Sequence, residues 1–111
     1  MIFRPCHFIP TFDKYKGEIC GGVQLHVIDW EVFKPVETGL HMIATCIDLY
    51  DQDFKWRQHQ QSDHPHFDLL TGTDKIRKAL TEGASVDSII NGWKGSLEKF
   101  TEWKKSYILY E

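Results

Sequence analysis

The residues that could do chemistry gather in three places. The first is "YKGEICGG", where Glu18 and Cys20 lie between Gly17 and the Gly21-Gly22 pair. A working carboxylate needs a fixed position and access to substrate. A loop pinned by glycines at the mouth of a strand can supply both. The same spacing also describes a solvated acid beside a turn. The second place is "HQQSDHPHFD", with His59, Asp63, His64, His66 and Asp68. His64-x-His66 is a spacing at which two imidazoles leave an extended chain on the same side. Metal centres usually draw three or four ligands from a rigid frame. This tract has neither Cys-x-x-Cys nor His-Glu-x-x-His, so a solvated polar loop competes with a metal site. The third is "LLTGTDK", a Thr-Gly-Thr turn ahead of a helix. Free N–H groups there could hold an anion, and simple helix capping would account for the same residues.

Nucleophilic chemistry has fewer candidates. Cys20 could pair with His26 or His7, provided that they meet in space. No Gly-x-Ser-x-Gly elbow and no glycine-rich phosphate loop occurs. Phe12, Tyr15, Trp30 and Trp56 fall in connecting segments, off the apolar stripes. Such aromatics either stack on a ligand or partner or roof a small core.

The elements that must position these residues follow from patterning. Residues 2–9 read as an extended segment interrupted by Pro5. Residues 11–18 read as a polar loop, and Gly17, Gly21 and Gly22 as turns or points of close backbone approach. Val23, Leu25 and Val27 alternate with Gln24 and His26, which predicts a half-buried strand. Thr38 is a candidate N-cap. Leu40, Ile43, Ala44, Ile47 and Tyr50 follow at helical spacing, predicting a helix over 39–50. Residues 51–66 read as a long loop. After Gly72, Thr73 can cap a helix carrying Ile76, Ala79 and Leu80 that ends at Gly83. Ser85 caps another, with Asp87 in its first turn and a stripe of Ile89, Ile90, Trp93, Leu97, Phe100 and Lys104. The closing "SYILYE" is apolar enough to dock on the body. These elements predict an α+β fold: a small sheet packed by about three helices in a single domain.

Composition limits the classes of function. The 111 residues suffice for one domain with one core. Net charge is −3, and the thirteen Lys and Arg residues form no basic stripe, which disfavours nucleic acid. No apolar run approaches the roughly 20 residues of a membrane-spanning helix. Arg4 and Pro5 stand where an export signal would need an apolar stretch, so the chain itself assigns no compartment. Three cysteines, Cys6, Cys20 and Cys46, argue against a disulfide framework and leave a Cys6–Cys20 bridge open. Fifteen aromatics are too many for so small a core to bury, so some should line a groove or an interface.

Three stretches together resemble a known family. "FIPTFDKYKGEICGGVQLHVIDWEVFKPVETGLHMI" is similar to the F-x-P-T-x-x-K-Y-x-G-E-x-C-x-G-V-Q-(L/I)-H-V-x-D segment of the C-terminal domain of the NamZ-like exo-β-N-acetylmuramidases. "FDLLTGTDKIRKALTEG" resembles that family's Phe-Asp-x-Leu-x-Gly-Thr block, and "KKSYILY" its closing helix. The likeness covers nearly all of residues 1–111 and is weakest across 51–66.

The resemblance implies a two-domain glycosidase of cell-wall turnover. Such enzymes remove N-acetylmuramic acid from peptidoglycan fragments, so a parent of this kind would work in the periplasm or outside the cell. Most of the active site is expected on a Rossmann-like N-terminal domain that this chain does not match, and the smaller domain closes the cleft. The partners implied are that N-terminal domain and a peptidoglycan-derived sugar. No cofactor and no metal are implied. Glycoside hydrolysis generally uses two carboxyl groups. Glu18 is then the catalytic candidate, as a second acid or as an acceptor for a sugar hydroxyl. Tyr15, Thr11 and His26 are the candidates for substrate binding. The chain alone is expected to lack activity. The competing expectation is a non-catalytic module that uses its loop aromatics to hold carbohydrate or protein.

Overall fold

The computed structural model describes residues 1–109, and the chain divides into two compact units, residues 1–35 and 36–111. The class is α+β, as the patterning predicts: the described residues form one two-stranded antiparallel sheet and four α-helices.

The first unit is a hairpin. Strand β1 (Ile2–Phe8) pairs with β2 (Cys20–His26), from Ile2 opposite His26 to Phe8 opposite Cys20. Opposed residues share a face. One face therefore carries Ile2, Arg4, Cys6, Phe8, Cys20, Gly22, Gln24 and His26. The other carries Phe3, Pro5, His7, Gly21, Val23 and Leu25. Pro5 has no N–H to donate, which a two-stranded sheet tolerates because both of its strands are edges. The second strand begins three residues earlier than its alternating pattern suggests. Gly21 and Gly22 are paired strand residues rather than a turn. Gly22 does mark a close approach: a Cβ there would lie 3.0 Å from Cε1 of Phe8. The expectation of a half-buried strand is met only in part. Leu25 is half-buried, but Val23 and Val27 remain exposed.

The second unit holds the helices. Helix α1 (Pro35–Tyr50) starts four residues before the predicted 39–50. Proline at the first helical position has the right φ and loses no useful hydrogen bond. Thr38, expected as N-cap, is instead buried in the first turn of the helix. Helix α2 (His66–Thr71) was not expected; it ends at Gly72, whose φ of 70° is left-handed. Helix α3 (Lys75–Thr81) closes on Gly83 (φ 80°). There Gly83 N–H donates to Leu80 O and Ala84 N–H to Ala79 O, the paired bonds of a Schellman stop. Helix α4 (Val86–Lys104) begins as predicted: Ser85 Oγ accepts from Ser88 N–H at 3.2 Å, and Asp87 lies in the first turn.

The buried core of this unit is Leu40, Leu80 and Val86. Ile43, Ala44, Ile47, Trp56, Phe67, Ile76, Ile89, Ile90 and Trp93 pack around them. The core thus draws on all four helices and on Trp56 from the 51–66 segment. That segment is not a plain loop: Gln58 and Pro65 form an antiparallel bridge, and His66 N–H donates to Arg57 O. Tyr50, expected on the apolar stripe of α1, is exposed.

The stripe of α4 changes character along its length. Ile89, Ile90 and Trp93 meet the core, whereas Leu97, Phe100 and Trp103 are more than half exposed. At 1.5 Å per residue the helix is about 28 Å long, more than its few partners can cover. A 3₁₀ turn (Lys105–Tyr107) follows, and the Tyr107 ring packs on Trp103 at a tilt of 54°, with centroids 4.9 Å apart. The expected docking of "SYILYE" does not occur over residues 107–109, which are exposed; Tyr110 and Glu111 lie outside the described residues.

Candidate functional site

The segment joining β1 to β2 is unusual in its backbone. Asp13 (φ 60°), Tyr15 (φ 58°) and Gly17 (φ 81°) are all left-handed, at every second position. Glycine takes this conformation freely and Asp with modest difficulty. An aromatic residue does so only at a cost, because its Cβ crowds the following carbonyl. Two hydrogen bonds close the segment. Gly17 N–H donates to Pro10 O at 3.0 Å, which draws residues 10–17 into a loop. Glu18 N–H donates to Tyr15 O at 3.0 Å, a β-turn with Gly17 at the third position, where a positive φ is required.

Glu18 leaves this turn exposed to solvent. Its backbone is engaged on both sides: the N–H by Tyr15 O, and the C=O by the Cys20 thiol, 3.8 Å away. The glycines and the thiol around Glu18 therefore have separate duties. Gly17 makes the turn, Gly21 and Gly22 belong to the strand, and Cys20 lies where the loop enters it.

Of the four residues singled out with Glu18 at their centre, the loop gathers Thr11, Tyr15 and Glu18 within one short closed segment. All three are exposed. His26 is elsewhere. It ends β2, opposite Ile2, six residues beyond Cys20, or about 20 Å along the strand. Its Nε2 is shielded from solvent and has no hydrogen-bond partner among the described residues. The sheet also separates the Cys/His combinations. His7 lies opposite Gly21, on the other face from Cys20, and His26 shares the face of Cys20 but at the far end. Cys6, Cys20 and Cys46 are free thiols. Cys6 lies opposite Gly22 and Cys20 opposite Phe8, so the two are offset along the strands rather than facing.

The aromatics divide cleanly. Trp56 is a core residue: its ring centroid is 5.0 Å from that of Phe54 and 4.9 Å from that of Phe67, and its indole N–H donates to Thr81 Oγ1 at 3.1 Å. Phe12 and Trp30 are each 79% exposed, and Tyr15 is 65% exposed. Trp30 lies in a local turn in which Asp29 Oδ1 accepts from Glu31 N–H at 3.0 Å. All three exposed rings belong to the hairpin unit.

In the helical unit, the histidine-rich tract does not converge. His66 stacks on His59 with centroids 5.6 Å apart and planes 3° apart, while His64 lines a different cleft together with Asp68, Gly72 and Asp74. Among the described residues no group of three His, Cys, Asp or Glu side chains is arranged to hold a metal ion. Asp68 is structural. Its buried carboxylate accepts from Arg77 Nε at 2.8 and 3.0 Å and ties α2 to α3. The hydrogen bond that Arg77 donates to Asp68 holds its guanidinium above its ordinary pKa. The sequence signal for this pair was an acid and a base nine residues apart across Gly72, too loose a spacing to single out. The Thr-Gly-Thr turn is likewise used internally. Thr73 Oγ1 accepts from Lys75 N–H, and Thr71 Oγ1 donates to Phe67 O and Thr73 O.

The hairpin unit thus presents a carboxylate and aromatic rings on a closed, partly strained loop, and the helical unit uses its polar clusters for its own packing. Comparison with protein families assigns residues 1–110 to the family described as exo-β-N-acetylmuramidase NamZ, C-terminal. The chain belongs to this family. It is 41% identical over 108 residues to the peptidoglycan β-N-acetylmuramidase NamZ of Bacillus subtilis (strain 168). That match takes in 97% of this chain and 25% of the relative. Among solved structures, a DUF1343 family protein of Bacteroides fragilis NCTC 9343 superposes with a TM-score of 0.77 at 25% identity. It covers 99% of this chain, which in turn spans 29% of that protein. The chain therefore corresponds to about a quarter of the length of the curated relative it matches.

Proposed function

We propose that this chain supplies one wall of the sugar-binding cleft in a peptidoglycan-degrading exo-β-N-acetylmuramidase, and that it turns over no substrate alone. A domain matching the rest of the relative's length would supply the other wall and the remaining catalytic groups. The observation that carries this reading is the closed loop of residues 10–18. It fixes Glu18 by its backbone yet leaves the residue exposed to solvent. Hydrolysis of a glycosidic bond generally uses two carboxyl groups on either side of the scissile oxygen. Glu18 is the group this domain would bring, as second acid or as acceptor for a sugar hydroxyl. Tyr15 and Thr11 would contact the sugar from the same loop. His26 would act only if the ligand reaches the far end of the hairpin.

The test is a fusion in which this chain replaces the matching C-terminal quarter of the Bacillus subtilis relative. Release of N-acetylmuramic acid from a muropeptide is measured for the fusion and for its Glu18→Gln variant. Loss of turnover with an unchanged melting curve supports the reading. Full turnover by E18Q removes Glu18 from the chemistry. If turnover survives and substitution of Phe12 or Trp30 then weakens substrate binding, the domain is a non-catalytic binding module.

A further inference from the structure

The conformation of Tyr15 is not offset by burial or ring packing of its own side chain. Its φ of 58° places an aromatic residue in the left-handed region, where glycine would sit without strain. Asp and Asn reach that region with help from their own short polar side chains, and tyrosine has no such help. Strain of this kind is ordinarily offset by packing of the side chain. Here the ring is 65% exposed, and no aromatic ring among the described residues stacks on it. The backbone is nonetheless held, because the loop is closed from Pro10 to Gly17 and the Tyr15 carbonyl accepts from Glu18 N–H. Residues kept in costly conformations by their surroundings concentrate at ligand sites. What the strain achieves locally is an aromatic ring directed into solvent from the same turn that anchors Glu18.

We infer that Tyr15 is the sugar-stacking residue of this loop: its ring is a preformed platform for the apolar face of a pyranose, and its carbonyl positions Glu18 in the same turn. The inference rests on the proposed reading of the loop as a sugar wall and adds to it the element of recognition. A pyranose offers axial C–H groups on one face and hydroxyls at its rim. An aromatic π-face takes the first, and a carboxylate one turn away can accept from the second. Because the loop is closed by its own backbone hydrogen bonds, the platform is built by the chain itself and costs little ordering when sugar arrives.

Three variants separate the two duties of Tyr15. Tyr15→Phe keeps the ring. Tyr15→Asn removes the ring but tolerates the left-handed backbone, so the hold on Glu18 persists. Glu18→Gln keeps the loop and removes the charge. Each is titrated with N-acetylmuramic acid and followed by backbone and aromatic NMR shifts, with the melting temperature and the exchange rate of the Glu18 amide as controls. Tyr15→Phe is expected to bind within about threefold of the unaltered chain, and Tyr15→Asn about tenfold or more weakly, the scale of losing one aromatic stacking contact. In Tyr15→Asn the melting temperature is expected to hold or rise, and Glu18 amide exchange to stay the same. Equal binding by Tyr15→Asn overturns the inference. So does an unaltered chain whose shifts lie only outside residues 10–18, which would leave the sugar-wall reading standing. An unaltered chain that shows no shifts at millimolar sugar also overturns the preformed platform. The fusion assay then decides the sugar-wall reading separately.

Discussion

Leu80 offers the sharpest test of how the helical unit is held together. It is 3% exposed and lies in the core with Leu40 and Val86. Leu80→Ala removes three carbons from that core. At about 0.8 kcal/mol per buried methylene, the transfer loss is roughly 2.4 kcal/mol. The space left behind adds to this, because helices tied at the Gly83 stop and the Asp68–Arg77 pair cannot collapse fully into it. A total of about 3–4 kcal/mol follows, inside the range of about 2–5 measured for such substitutions. For a unit of this size each kcal/mol lowers Tm by about 4–8 °C, so the fall should be at least about 12 °C. Leu97→Ala is the control. Leu97 lies on the same stripe of α4 but is 57% exposed, so its truncation should cost under about 1 kcal/mol. Urea and thermal unfolding, followed by circular dichroism and by Trp56 and Trp93 fluorescence, give both values. A cost below about 1 kcal/mol for Leu80, or equal costs at the two positions, would refute this account of where the core ends.

Trp56→Phe keeps a ring against Phe54 and Phe67 but strips the donor to Thr81. It should cost about 0.5–1.5 kcal/mol, and Thr81→Val in the same background should add little, which a double-mutant cycle checks. The hydrogen bond and charge of Lys78 hold Asp74 below its ordinary pKa near 3.8. A depressed carboxylate stabilises the fold above its unfolded value and loses that contribution as pH falls through the folded one. The acid limb of the stability curve should therefore flatten slightly in Asp74→Asn. The difference should shrink with salt, because the pair is exposed; an NMR titration of the Asp74 carboxyl that finds no depression would contradict this.

Much of the architecture was legible from local signals. Ser85 caps α4, and Gly83 stops α3 with both bonds of the motif, because each depends on a few adjacent residues. The apolar spacing of α1 and α3 gave the helix faces, since a period of 3.6 needs no knowledge of the partner. Non-local facts were hidden. Trp56, in a polar stretch that reads as a loop, reaches the core through a hydrogen bond to Thr81, 25 residues away. Helix α2 is too short for a period to show, and Pro35 moved the start of α1 ahead of the expected cap. At the candidate site, the sequence pointed to Glu18 with Gly17 beside it. Nothing in residue type could announce a left-handed tyrosine, since tyrosine there is disfavoured unless the chain around it is closed.

The sequence by itself determined the α+β class, the caps and stops of the helices, and the motifs that resemble the exo-muramidase family. These reside in residue type at short spacing, where propensity and hydrogen-bond chemistry act without a partner. Tertiary structure alone decided which polar groups are spent on the fold and which remain free. Asp68 is consumed by Arg77, Thr73 by its own helix and Trp56 by the core, while Glu18 and Tyr15 are left in solvent on a closed loop. The physical reason is that desolvation and pairing depend on which segments meet, and segments distant in sequence meet only when the chain is folded.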